Sequence, residues 1–380
     1  MKRIAVLGST GFIGTQALQI IENYPDRFRV VALTANDNAQ LLATQAKKFR
    51  PEYVGICNES KYVEVKSSVS CRTGCGAQCL IEAASIECDV VLVAVVGCAG
   101  LNGVLAAIEH GRTVALANKE SLVAAGEIVM ARAREKGVTI LPVDSEHSAV
   151  WQCLHSGKRA DVRRLILTAS GGPFYNADPA SLKSVTPAQA INHPTWRMGK
   201  KISTDSATMM NKGLEIIEAR WLFDTDKIDY VIHPQSIVHS MVEFADSAVI
   251  AQLSMPDMRL PIQLAFTYPD RIPSATPPLR LDTLTFLPPK EDLFPLPALA
   301  KRSLQMGGNA TCVLNAANEA AVALFLDGKI AFTDIGVLVE KTLENARISS
   351  VSAPEEIFAT HNEVYDKLMT DYTKFVRSAF

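Results

Sequence analysis

The chain has 380 residues, enough for two or three domains that each bury a core. With 48% hydrophobic and 21% charged residues it has the composition of an ordinary globular protein. A formal charge of −2 excludes a global attraction to nucleic acid or an anionic membrane, so any anionic ligand needs a local site.

In chain order, RIAVLG (3–8), FRVVALT (28–34), DVVLVAV (89–95), TVALA (113–117) and VTILPV (138–143) read as buried strands with amphipathic helices between them. That alternation predicts an α/β fold, with an N-terminal Rossmann-like parallel sheet over residues 1–143. The longest apolar run, VVLVAVVGCAGL (90–101), is too short and too glycine-containing to span a bilayer. The opening MKRIAVLGST has too few apolar residues for a signal peptide, so the cytoplasm is the expected location.

GSTGFIG (8–14) follows the first strand and opens a helix. Gly8, Gly11 and Gly14 at a first strand-to-helix turn let backbone approach a pyrophosphate, whose charge a helix N-terminus favours. The second strand ends in Ala35, Asn36, Asp37 and Asn38. Asp37 lies beyond the usual place of a ribose-binding acid and reads equally as a turn former, which leaves NAD and NADP open. CRTGCGAQC places Cys71, Cys75 and Cys79 close together, with Cys88 beyond, at a spacing unlike usual zinc or iron–sulfur motifs. They read as free thiols in and near a helix.

PVDSEHSA (142–149) sets two acids where an apolar run ends. Read as extended, it points Asp144 and Glu146 one way, and Ser145 and His147 the other. RRLILTASGG (163–172) predicts a strand entering a glycine turn, and INHPTWRMGKK (191–201) a long loop. STDSATMMNKGLEIIEARWLF (203–223) reads as one helix capped by Ser203, Thr204 or Asp205. Its apolar stripe is Met210, Leu214, Ile217 and Trp221, while Asn211, Lys212 and Glu215 share another arc, a functional cluster or a solvated surface pair. Asp144, Glu146 and Glu215 together offer three hard oxygen ligands suited to Mg²⁺ or Mn²⁺. Ser170 with Gly171 and Gly172, Ser206, Asn211 and Lys212 make a usual phosphate set.

YVIHP (230–234), IVHSMVEF (237–244) and AVIAQLS (248–254) read as strands, the last two joined as a hairpin, within an α+β catalytic domain over 144–255. Residues 256–297 hold ten of the 19 prolines and read as a linker without long regular elements. Helical periodicity then predicts a small helical domain over 298–380.

Seven of these segments carry a resemblance: GSTGFIG (8–14), LANKESLV (116–123), VDSEHSA (143–149), ASGGPF (169–174), NHPTWRMGKKIS (192–203), NKGLEIIEA (211–219) and LNAANEAAVALFL (314–326). In content and order they resemble the 1-deoxy-D-xylulose 5-phosphate reductoisomerase family of the non-mevalonate isoprenoid pathway. The resemblance implies a homodimeric, NADPH-dependent enzyme acting on a phosphorylated ketose with Mg²⁺ or Mn²⁺. It assigns the metal to Asp144, Glu146 and Glu215, with Lys119 and His193 completing the catalytic set. Substrate would be held by Ser145, Ser170, His193, Ser206, Asn211 and Lys212, under a lid carrying Trp196 and Met198. Cofactor contacts would come from Gly8, Thr10, Gly11, Phe12, Ile13, Asn36, Asn38, Asn118, Lys119 and Glu120. Two positions depart from the pattern: Phe12 replaces a small hydroxyl residue, and Asp37 stands where a cation is expected.

Duller readings exist for several of these. His193 before Pro194 fits a simple loop turn, and Trp196 fits packing. His147 is set aside because on a strand it faces away from the acids. His233 and His239 read as structural, and Asn315, Asn318 and Glu319 as helix-packing groups. The rivals are a semialdehyde or homoserine dehydrogenase and a dinucleotide sensor. A semialdehyde enzyme would need an acylating cysteine in a catalytic loop, and Cys153, the nearest, has no such context, while a sensor has no use for three acids.

Overall fold

The computed structural model describes residues 1–196 and 198–376, and its chain divides into two compact units. The first comprises residues 1–121, 129–148 and 257–278. Its seven strands are β1 (Lys2–Leu7), β2 (Phe28–Ala35), β3 (Tyr53–Ile56), β4 (Arg72–Cys75), β5 (Val90–Val93), β6 (Thr113–Leu116) and β7 (Ile140–Pro142). They form one parallel sheet in the order β4-β3-β2-β1-β5-β6-β7. Ile4 to Leu7, Val54 and Val91 to Val93 are completely buried, as a sheet covered on both faces requires. The strand order reverses at β1, between β2 and β5, so the crevice at the carboxyl end of β1 is where such sheets bind ligands.

The proline-rich stretch contains a regular element absent from the sequence reading, the nine-residue helix Arg259–Thr267. Pro261 falls in its first turn, where a missing N–H costs nothing. The helix buries Phe266 against Phe28, with ring centroids 5.9 Å apart. Prolines therefore shorten the regular structure here without abolishing it.

The second unit comprises residues 122–128, 149–256 and 279–380. Its four-stranded sheet has the order β11-β10-β8-β9, from β8 (Val162–Ala169), β9 (Ile228–Ile232), β10 (Val238–Phe244) and β11 (Val249–Leu253). β10 and β11 pair antiparallel around the expected hairpin. Leu165, Leu167, Ile232 and Val242 pack against Ile216 and Ala219 of the helix Met210–Phe223. The opposite stripe of that helix, Met210, Leu214 and Ile217, packs against the tail helices through Leu299, Ala300, Val313 and Ala317. Gly213 permits the closest approach, since a Cβ there would sit 2.9 Å from Ala300 Cβ.

Two local expectations fail. The single helix over 203–223 is two, Lys200–Ala207 and Met210–Phe223, because Met209 adopts the left-handed conformation at φ 63°. Ser206 therefore ends one helix instead of beginning another. The segment Ser145–Cys153 is helical, so the alternating-strand argument for Asp144 and Glu146 does not apply. Asp144 immediately precedes this helix, and its carbonyl accepts the Ser148 N–H at 2.8 Å.

Candidate active site

In the first unit β1 runs into Gly8, whose φ of 85° lies in the region that favours glycine. A Cβ there would lie 2.4 Å from the Ala94 carbonyl oxygen, and one on Gly14 would lie 2.3 Å from the Gly8 oxygen. Gly8 and Ser9 donate their N–H groups to the Thr34 carbonyl at 3.1 and 2.8 Å, and Ser9 Oγ bonds Gln45 at 2.7 Å. The helix Phe12–Asn23 starts from Gly11 with no side-chain cap, so its first amides can serve an anion. Thr10 and Ile13 are partly buried there, and Phe12 is 42% exposed.

At the end of β2, Asn58 Nδ2 donates to Asp37 Oδ1 at 2.8 Å, and Asn36 Nδ2 donates to Asp37 Oδ2. Asn38 caps the helix Ala39–Phe49 through the Leu41 N–H at 3.1 Å. Asn118 likewise caps Lys119–Lys136 and donates to the Val95 and Gly97 carbonyls at 2.7 and 2.9 Å, and to Glu120 at 3.1 Å. Both asparagines brace the edge of the crevice with their own polar atoms.

Lys119 Nζ lies 2.5 Å from Asp144 Oδ2, with both side chains largely buried. Burial alone opposes ionisation of Asp144, but the nearby positive charge of Lys119, with help from His147, holds its carboxyl well below the usual carboxylate range. His147 is fully buried and acts on Asp144, which corrects the strand-based reading that turned it away. Helical spacing of three residues was the signal that would have found it. Ser145 Oγ donates to Glu146 Oε2 at 2.6 Å.

In the second unit, β8 runs into Ser170, and Gly171 and Gly172 follow with φ of 88° and 66°. A Cβ on Gly172 would lie 2.5 Å from the Ser206 carbonyl oxygen, so the glycine turn fits closely against the end of the helix Lys200–Ala207. Ser170 Oγ lies 2.9 Å from His193 Nε2. His193 Nδ1 accepts the N–H groups of Thr195 and Trp196 at 3.1 and 2.9 Å, which assigns the ring proton to Nε2. Burial lowers the His193 pKa to about 4, so the ring is neutral at physiological pH. Ser170 Oγ thus accepts from Nε2–H, and from the Gly172 N–H at 3.2 Å. Its own hydrogen is left to donate to a ligand.

Lys212 and Glu215 form an ion pair with side chains only 3% and 1% exposed, which decides against the solvated-surface reading. Lys212 Nζ also donates to the Thr168 carbonyl at the end of β8, and Asn211 Nδ2 donates to Glu215 Oε1. Ser206 is buried, and the Trp196 ring lies 6.3 Å from that of His239. Met198 is partly buried in the same loop. The Thr168 carbonyl was missed by the sequence reading, since no side-chain pattern marks a backbone acceptor.

Carboxylates such as those of Asp144, Glu146 and Glu215 are the donor chemistry of a hard divalent cation. Among the described residues no three-membered cluster of metal-ligating groups includes a cysteine.

The family model described as 1-deoxy-D-xylulose 5-phosphate reductoisomerase matches residues 4–126, and its two C-terminal domain models match 140–223 and 253–367. A reductoisomerase of Bacteroides thetaiotaomicron is 50% identical over 375 residues, covering 95% of each chain. One of Geotalea daltonii is 48% identical over 366 residues, covering 94% of this chain and 95% of that protein. Among solved structures, the Zymomonas mobilis enzyme in complex with NADPH superposes with a TM-score of 0.91 at 45% identity, over 97% of this chain and 98% of the other. A reductoisomerase bound to NADPH, fosmidomycin and magnesium gives 0.94 at 40% identity over 99% of each. This chain belongs to the 1-deoxy-D-xylulose 5-phosphate reductoisomerase family.

Proposed function

We propose that this protein converts 1-deoxy-D-xylulose 5-phosphate to 2-C-methyl-D-erythritol 4-phosphate by metal-dependent isomerisation and NADPH-dependent reduction, a step in isoprenoid precursor synthesis. The observation that carries this reading is half identity to named reductoisomerases over nearly the whole chain. The local geometry of each unit supports it. In this reading residues 1–143 bind the cofactor, 144–255 bind metal and substrate, and the proline-rich 256–297 leads to the helical 298–380.

Each residue set then has a task. The Gly8–Gly14 turn and the uncapped helix start receive the cofactor pyrophosphate. Ser170, its hydroxyl oriented by His193, donates to the substrate phosphate, joined by Ser206, Asn211 and Lys212. Anchoring that remote group lets its binding energy position the reacting carbons. Asp144, Glu146 and Glu215 hold Mg²⁺ or Mn²⁺, with Ser145 oriented by Glu146 toward the substrate. The bound cation supplies Lewis-acid stabilisation of negative charge on the substrate oxygens, and NADPH supplies the hydride that reduces the rearranged aldehyde. Lys119 keeps an ammonium beside Asp144, limiting charge repulsion among the acids. Trp196 and Met198 cover the substrate and exclude water.

We also infer a cytoplasmic homodimer. All eight cysteines are free thiols, which suits a reducing compartment, and no described helix is long and apolar enough to cross a membrane. β11 is a sheet edge with Val249 and Ile250 47% and 38% exposed, which suits burial by a second copy. Light scattering at micromolar concentration tests this, a monomer mass contradicting it. For the reaction, NMR of the product formed from 1-deoxy-D-xylulose 5-phosphate, NADPH and Mg²⁺ is expected to show 2-C-methyl-D-erythritol 4-phosphate. Unchanged substrate would refute the reading.

A further inference from the structure

Three thiols gather at the carboxyl edge of the first unit's sheet, and the proposed reaction uses none of them. Cys57 follows β3, Cys75 ends β4, and Cys79 lies on the helix Gln78–Ser85. Cys57 Sγ and Cys79 Sγ are 3.6 Å apart. The contact is built into the strand: Gly55 and Cys57, two residues apart, face the same side. A Cβ on Gly55 would meet Cys79 Cβ at 2.8 Å and Sγ at 2.9 Å, so only glycine lets the helix thiol lie this close. Cys79 is fully buried and Cys57 partly exposed, so a small reagent reaches one sulfur first.

The same strand end holds the loop after β2. Cys57 N–H donates to the Ala35 carbonyl at 2.9 Å, Asn58 N–H to the Asn36 carbonyl at 3.0 Å, and Asn58 Nδ2 to Asp37 Oδ1 at 2.8 Å. Whatever moves Cys57 moves the anchor of residues 36–38.

We propose that Cys57 and Cys79 are a peroxide-oxidisable dithiol, and that their disulfide disturbs the 36–38 loop and weakens NADPH binding. The second half rests on the cofactor reading above; the first does not. The Cys57 thiolate attacks one peroxide oxygen, giving a sulfenic acid and hydroxide. The Cys79 sulfur then displaces that hydroxyl from Cys57. In sum two thiols and one hydrogen peroxide give one disulfide and two waters; the sulfurs lose two electrons and the peroxide gains them. A dithiol reductant reverses the bond by exchange.

The pair is polarised for this order of events. The hydrogen bond between the two sulfurs lowers the Cys57 pKa and raises that of Cys79. Closing 3.6 Å to a bond of about 2.0 Å pulls Cys57 and Cys79 together at the strand end that anchors residues 36–38. Cys75 pairs in register with Ile56 on β3, not with Cys57, so it is not the favoured partner.

The test is to treat the full-length protein with hydrogen peroxide and map cross-links by mass spectrometry before and after dithiothreitol. NADPH affinity is measured on the same samples by fluorescence. A Cys57–Cys79 link that dithiothreitol removes, with NADPH binding about tenfold weaker while it persists, is expected. Cys57→Ser and Cys79→Ala are expected to keep wild-type NADPH affinity before treatment and to lose the peroxide response. A link through Cys75, no link, or a link that leaves NADPH affinity unchanged would overturn the proposal. Reduced protein that fails to bind NADPH would instead refute the cofactor reading, while the cross-link map still decides the thiol pair.

Discussion

The hydrogen bond between Ser170 and His193 runs from imidazole to hydroxyl, because both backbone N–H groups of Thr195 and Trp196 point at Nδ1. The histidine therefore directs a donor and does not activate a nucleophile. It also ties Ser170 to the loop that carries Trp196.

Replacing His193 by Gln should raise KM for the phosphorylated substrate about tenfold and lower kcat less, since a charge-assisted hydrogen bond is weakened. A variant with unchanged KM would remove His193 from the phosphate site. Its depressed pKa of about 4 gives a signed stability effect. The unfolded chain binds this proton near pH 6.5 and the folded chain only near pH 4, so stability from this group is lost as pH falls through that window. Denaturant titrations at several pH values should show that slope in the wild type and its loss in His193→Gln.

Breaking the Lys212–Glu215 pair should cost stability as well as activity. Both side chains are almost fully buried, so Lys212→Met or Glu215→Gln alone should destabilise by about 3–5 kcal/mol. The double variant Lys212→Met/Glu215→Met should recover most of the stability and none of the turnover. Single variants with wild-type denaturation midpoints would show that the pair is not buried in solution.

Lys119 should control the ionisation of Asp144. With its pKa depressed, the folded-state advantage of Asp144 is present above the unfolded carboxyl pKa and is lost as pH falls through the folded value, below the usual carboxylate range. Carboxyl-carbon NMR should find Asp144 ionised through the mildly acid range, with its titration moved upward in Lys119→Met. An unmoved titration would assign the shift to some other neighbour.

Much of this was legible because it rests on periodicity and composition. Strands buried on both faces announce themselves as apolar runs, and the helix stripe of Met210, Leu214 and Ile217 follows from a 3.6-residue repeat. The acids, and Ser170, Ser206, Asn211 and Lys212, stood out as polar groups with no local structural need to be there. What escaped was set by tertiary context. Nothing local in Met209 marks a left-handed residue, so two helices read as one. A three-residue β7 ends just before Asp144, so a strand pattern was carried into what is a helix, and His147 was lost with it. The polarity of Ser170 depends on amides that only the folded loop brings to His193.

Cofactor choice should respond to Asp37. Its carboxylate is held by Asn36 and Asn58 at the end of β2, where a positive charge would meet a 2′-phosphate. Asp37→Lys should raise the NADPH-to-NADH ratio of kcat/KM about tenfold. A lowered or unchanged ratio would place the 2′-phosphate elsewhere.

The most direct measurement is NADPH oxidation with 1-deoxy-D-xylulose 5-phosphate, run with Mg²⁺, then with EDTA, and then with Glu215→Gln. The account predicts oxidation that EDTA abolishes, that added Mn²⁺ or Mg²⁺ restores, and that Glu215→Gln lowers by about a thousandfold or more at saturating substrate. Oxidation that continues in EDTA, or at wild-type rate in Glu215→Gln, would contradict the carboxylate-held cation on which the mechanism depends.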